Sequence, residues 1–216
     1  MIQLSSRYPS DNEWDVPCLL RELQGAPVVP PVCSWGSVSR SSWMPGTWVM
    51  FVDDARFGRL LRSPLQLTAS GCHAAAEPNI SLYDDSPMAE AIWAIYRKRW
   101  VARSWQDVGI RVLVDLNVPE RYSRMNLLGV PRGWRAYATR GYANRPDSFV
   151  AECELAQEWA GGGATVLVFG GGKRVQHACS GTPGALWFPD HMAEHRASVA
   201  ASSCSVQRKE LRHVKR

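Results

Sequence analysis

No apolar run in this chain approaches the ~20 residues that a membrane-spanning helix needs. The opening MIQLSSRYPSDNEW lacks both the basic start and the apolar stretch of a secretory signal. Cysteine pairs are missing too: the six thiols, at 18, 33, 72, 153, 179 and 204, are widely and irregularly spaced, with no CxxC. That excludes a small disulfide scaffold and a zinc ribbon or finger. The expectation is reduced, mostly buried thiols in a cytoplasmic protein with no membrane partner. There is no GxSxG and no GxGxxG, so no familiar hydrolase, redox or dinucleotide chemistry is named, and the FGGGKR turn is not a Walker loop. Lysine is scarce, with 4 residues against 21 arginines.

What is present is globular. The 216 residues are 45% hydrophobic and 21% charged, which suits one domain with a real core. The net charge of +5 hides a partition. Residues 97–145 carry 11 basic and 3 acidic groups, and residues 204–216 carry 5 and 1. Together these segments hold +12, and the rest of the chain holds −7. Such asymmetry points to a polyanionic partner or ligand, and arginine is the better phosphate fork.

The pattern divides the chain into a Pro/Ser-rich arm (1–46), a core (47–180) and a C-terminal segment (181–216) ending in a disordered basic tail. The arm has a possible short strand at Val28–Val29. Strands are expected at Trp48–Val52, Gly71–Ala76, Ile110–Leu116, Trp134–Thr139 and Ala164–Phe169. Ser86 and Pro87 read as N-cap and N1 of a long helix closed by Gly109, with Ala89, Trp93, Tyr96 and Trp100 as its apolar stripe. A second helix is expected from Asp147 or Ser148 to Gly161. This alternation predicts an α/β fold: a mostly parallel sheet of about five or six strands, either open or an incomplete βα barrel.

Ligands of such sheets bind at the carboxyl ends of the strands. The residues that follow each expected strand are therefore the site candidates. Asp53, Asp54 and Asp115 are candidate catalytic carboxylates, and Asp53 with Asp115 could hold a divalent metal such as magnesium. Asn79, Ser81 and Tyr83 lie nearby. Arg97, Arg99, Arg103, Arg140, Gly171 and Lys173 are candidates for phosphate or nucleic acid. The first three lie among tryptophans, and the last two belong to a glycine-rich turn. His191, Glu194 and His195 spell an inverted zincin string near the tail, with no obvious third ligand.

The strings FVDDARFGRLLRSP, EPNISLYDDSPMAEAIWAIYRKRW and IRVLVDLNV resemble the bacterial and phage family called domain of unknown function 4417. The matching elements are Asp53, Asp54 and Phe57, then Pro78, Asn79, Ser81 and Tyr83, then Pro87, Tyr96, Arg97 and Arg99. Val166–Gly170 matches a terminal strand that runs into glycine. Asn79 stands where the family usually has Asp. The resemblance covers about residues 25–173 and is most specific between 48 and 118. It implies an α/β fold and a phage or mobile-element setting, and it implies no established activity.

Three functions follow as expectations. The leading one is engagement of nucleic acid or a nucleotide through residues 97–145, with the tail adding affinity by counterion release. The second is a metal-assisted enzyme acting on a phosphorylated small molecule. The third is a structural or assembly partner.

Overall fold

The computed structural model describes residues 8–37 and 43–190. Seven strands make one sheet: β1 (Val32–Ser34), β2 (Thr47–Val49), β3 (Ala74–Ala76), β4 (Arg111–Asp115), β5 (Ala136–Arg140), β6 (Thr165–Phe169) and β7 (Ala185–Phe188). Every pairing is parallel, and the spatial order is the chain order. Right-handed crossovers in one direction put the connecting segments on one face and curl the sheet around the other. The curl is visible in contacts across the concave side. The Phe51 ring, just past β2, stacks on Phe169 of β6 at 6.3 Å between centroids. Arg140 of β5 donates to the Phe51 carbonyl at 2.9 Å. β1 and β7 do not pair, so the barrel stays incomplete.

Four helices accompany the strands: α1 (Asp54–Phe57), α2 (Met88–Gln106), α3 (Val150–Ala160) and α4 (Gly172–Ser180). The sheet interior is packed, with Trp48, Val112, Val114, Tyr137, Val166 and Val168 fully buried. Four more polar-tipped anchors fix the core. The indoles of Trp35, Trp48, Trp105 and Trp134 are buried, and each donates to an oxygen, of Arg56, Ser70, Pro64 and Ala136 respectively. Between β4 and β5 the chain wedges in its own N-terminal segment. The Gly25 amide donates to the Val112 carbonyl at 2.7 Å, while β5 joins β4 only from Val114 onward. The approach is close: a Cβ on Gly25 would lie 2.6 Å from a Leu113 methyl carbon, so a larger residue there needs the Leu113 side chain to move.

The count of seven strands exceeds the expected five or six. β1 lies inside the segment expected to be an arm, and β7 lies beyond 180. The strand is not at Val28–Val29, because Pro30 and Pro31 supply no amide donors to continue a ladder there. The carbonyls of Val29 and Pro31 are instead taken by Thr47. Ser86 does not cap α2; Pro87 does, and the Ser86 hydroxyl accepts from the Tyr83 amide.

The larger difference is the face that α2 buries. Trp93, expected in the apolar stripe, is 49% exposed. The buried face is Ala91, Ala94, Ile95, Lys98, Arg99, Val101, Ala102 and Trp105. Two cations therefore point into the protein, and the reason lies at the strand ends. His191, Glu194, His195 and the basic tail fall outside the described residues.

Candidate functional site

β3 runs directly into Glu77, and β4 ends on Asp115. Both carboxylates are fully buried, and α2 supplies their counter-ions. Lys98 Nζ sits 3.1 Å from an Asp115 carboxylate oxygen and donates to the Asp115 carbonyl at 3.1 Å. The Arg99 guanidinium pairs with Glu77 Oε1. Its Nε and Nη2 donate to the carbonyls of Leu128 at 3.1 Å and Asn126 at 2.6 Å. The other Glu77 oxygen accepts from the Asp115 amide at 3.1 Å. Burial pushes the Glu77 carboxyl up, while Arg99 and Lys98 pull it back. Desolvating four charges is costly unless every donor and acceptor is used, and here nearly all are. The pairs lock α2 to the ends of β3 and β4.

From this buried knot a relay of hydrogen bonds leads outward. Asn79 Nδ2 donates to the Asp115 carboxylate at 3.1 Å and to the Asn117 carbonyl at 3.0 Å. Asn117 Nδ2 donates to Asn79 Oδ1 at 3.2 Å. The Tyr142 hydroxyl, two residues past β5, donates to Asn117 Oδ1 at 3.1 Å. The guanidiniums of Arg145 and Arg140 lie 4.3 and 5.8 Å from the centre of the Tyr142 ring.

Asn117 and Tyr142 form part of the wall of a cleft of 820 Å³, with Tyr83, Arg145, Ser148 and Glu152 among its other residues. Glu152, in the first turn of α3, is the chemically distinctive group. The hydroxyl of Thr139, the penultimate residue of β5, donates to Glu152 Oε2. Burial raises the Glu152 carboxyl to about 8, against a pull downward from Thr139, and the Asp115 charge adds to the rise. A carboxyl that titrates near neutrality in a cleft is the usual mark of proton-transfer chemistry. The lining also holds Asp84, Glu120, Glu154 and Glu158. Arg124 is neutralised by a two-pronged pair with Glu158 at 2.6 and 2.7 Å. The cleft is thus acidic on balance and is not a phosphate cradle.

The residues expected from sequence are divided among several places. Asp115 and Asn79 share the relay, and Tyr83 lines the cleft. Asp54 accepts from the Ser81 amide and hydroxyl, both at 3.1 Å, tying the end of β2 to the loop after β3. Asp53 caps α1, accepting from the Ala55 amide at 2.9 Å. Asp53 and Asp115 therefore sit in separate hydrogen-bond networks. Among the described residues no group of three or more His, Cys, Asp or Glu side chains is placed to hold a metal ion. Arg99 is buried, Arg103 pairs with Asp107, and Arg97 lies over Trp93 at 5.7 Å. They do not form one cationic face. Arg140 reaches the concave side. Gly171 packs its backbone on Gly141 in the turn before α4, and Lys173 is exposed beside it.

A model of the family described as "Domain of unknown function (DUF4417)" matches residues 8–144. The chain belongs to that family. The DUF4417 match takes in β1–β5 and the relay from Lys98 to Tyr142. Arg145, Ser148 and Glu152 lie just beyond it, so the cleft straddles its edge. Two relatives carry the name "Gene 1 protein". That of Mycobacterium phage D29 is 31% identical over 119 residues, covering 52% of this chain and 43% of the relative. That of Mycobacterium phage L5 is 28% identical over 119 residues, covering 52% and 50%. The chain thus spans about half the length of the curated relatives it matches. No solved structure matches. The family setting is phage-associated, and no helix among the described residues is long and apolar enough to cross a membrane. All five described cysteines are free; Cys153 and Cys179 are buried, and Cys18, Cys33 and Cys72 only partly so.

Glu152 was not legible in the sequence. It shares its helix with Glu154 and Glu158 and looks like one acid of a solvated face. Only the fold sets it against Thr139. A polar residue at a strand end, three residues ahead of a glycine-flanked aromatic (Thr139 and Tyr142), was the available signal.

Proposed function

We propose that this protein is an enzyme acting on a small polar molecule held in the cleft at the ends of β4 and β5. Glu152 transfers the proton, and Asn117, Tyr142 and Arg145 orient the substrate. The observation that carries this reading is the half-hidden Glu152 carboxyl, fixed by Thr139, in the same cleft as the terminus of a hydrogen-bonded relay. Below pH ~8 the carboxyl holds its proton and can deliver it to a developing anion. Above that it can accept one. The buried ion pairs keep the relay rigid, so the Tyr142 hydroxyl stays in place during the reaction. A metal-assisted variant through Asp53 and Asp115 has less support, because each carboxylate already has its own donors and Lys98 sits beside Asp115.

A thermal-shift screen of polar metabolites, followed by turnover assays on the hits, tests this. Ser148→Trp, which fills the cleft, should abolish the hits. Glu152→Gln should keep binding and lose turnover. Hits that ignore both changes would rule the cleft out.

A second reading, engagement of nucleic acid by residues 97–145, keeps one supporting observation. Four of the eleven cations there are spent in ion pairs. Five others, Arg97, Arg121, Arg132, Arg140 and Arg145, lie over aromatic rings and retain their charge. Stacked guanidiniums and rings suit single strands. Fluorescence anisotropy with labelled single-stranded DNA and RNA over a salt series tests it. Affinity should fall steeply with salt, and an absence of binding at low salt would end this reading.

A further inference from the structure

Among the described residues, the N-terminal half of α2 leaves an apolar groove uncovered. It holds 720 Å³ and is lined by Tyr8, Trp14, Met88, Ile92, Trp93 and Tyr96 among others. Trp14, Met88 and Trp93 are each 49% exposed. Further along α2 the helix is covered: the Tyr8 hydroxyl bonds the Ser104 hydroxyl at 3.0 Å, and the Tyr8 ring lies 6.4 Å from Trp100. The open stripe is therefore confined to the first turns. Two half-exposed tryptophans and a methionine in one patch are the composition of an interface core rather than of a solvated helix.

We propose that this stripe is the contact of a symmetric homodimer, with α2 crossing the α2 of a second copy antiparallel near Trp93. The occupant is identified by charge. Glu90 and Arg97 are seven residues apart, two helical turns, so they lie on the same side of α2 about 10 Å apart. They flank Trp93 on its N- and C-terminal sides almost equally. A two-fold axis beside Trp93 places Arg97 of each copy against Glu90 of the other, giving two identical ion pairs. Neither residue forms an ion pair among the described residues. The Trp93 ring is held in advance: it stacks on Tyr96 at 5.9 Å and 7°, and Arg97 lies 5.7 Å from its centroid. Little side-chain entropy is then lost on association.

The test uses the full chain, with sedimentation equilibrium for mass and circular dichroism for folding. The wild type should sediment as a concentration-dependent dimer. Trp93→Asp should be a folded monomer. Arg97→Glu and Glu90→Arg should each weaken the dimer about tenfold or more, because each sets like charges together twice. The doubly exchanged Glu90→Arg, Arg97→Glu chain should regain the dimer. A wild type that stays monomeric at high micromolar concentration overturns the proposal. So does a dimer indifferent to Trp93→Asp, or single charge reversals that the double exchange does not rescue.

Discussion

Replacing Glu152 with Gln should change how stability responds to pH, and the size of the change can be worked out. The carboxyl is raised from 4.5 to about 8 in the folded protein. The unfolded chain, with the lower value, releases the proton first. Between those two values the folded state binds more protons, so stability falls as pH rises. The contribution is fully present below about pH 4.5 and is lost as pH climbs through 8. At 1.36 kcal/mol per unit, the loss reaches roughly 3 kcal/mol at pH 7 and at most about 5 kcal/mol by pH 9. Gln keeps the shape and the contact with Thr139 but cannot ionise. Urea unfolding of both proteins at pH 5, 7 and 9 isolates the effect, because all other titrating groups are common to the two. The difference between them should be small at pH 5 and grow in favour of the variant toward pH 9. Two parallel pH profiles would refute the claim that this carboxyl is held protonated by its surroundings.

Arg99→Met should destabilise the fold by about 3–5 kcal/mol, since it strands the buried Glu77 carboxylate, and adding Glu77→Leu should recover part of that in thermal melts. Gly171→Ala should cost more than about 2 kcal/mol, because φ is +76° and the new Cβ would sit 2.8 Å from the Gly141 carbonyl carbon. A loss of phosphate affinity in that variant therefore counts for the turn only if circular dichroism shows it folded. Tyr142→Phe removes the outermost relay bond to Asn117; unfolding free energy should drop by about 1 kcal/mol, with a larger effect on turnover of any cleft substrate. An unchanged rate would remove Tyr142 from the site.

β4 and β6 were readable because strands buried on both faces carry apolar runs, Val112–Val114 and Val166–Phe169, each preceded within three residues by a glycine. The existence of α2 was equally plain from Pro87 at one end and Gly109 at the other. Its orientation was not. Alanines and large apolar groups occur all around its surface, so no stripe dominates. The inward face was decided by Glu77 and Asp115, which draw Arg99 and Lys98 inside. That pairing spans 22 and 17 residues and leaves no local pattern. β1 and β7 have three and four residues, too short for any period to show. The strand-end rule brought Asp115, Asn79 and Tyr83 to the site neighbourhood. It could not separate Asp53, which caps a helix, from Asp115, which anchors the relay. It also could not see Glu152, which reaches the strand ends from a helix. The +8 charge of residues 97–145 is spread over buried pairs, surface pairs and stacked guanidiniums.

The most direct test of the central claim is the carboxyl titration of Glu152 itself. Carbon-detected NMR of protein labelled at glutamate side chains, assigned through the Glu152→Gln variant, gives the value. The account predicts a midpoint near 8, shifting upward in Thr139→Val, because the hydroxyl that donates to the carboxylate and pulls it down is gone. A midpoint near 4.5 in the native protein would contradict the account, leaving the cleft without its proton-transfer group.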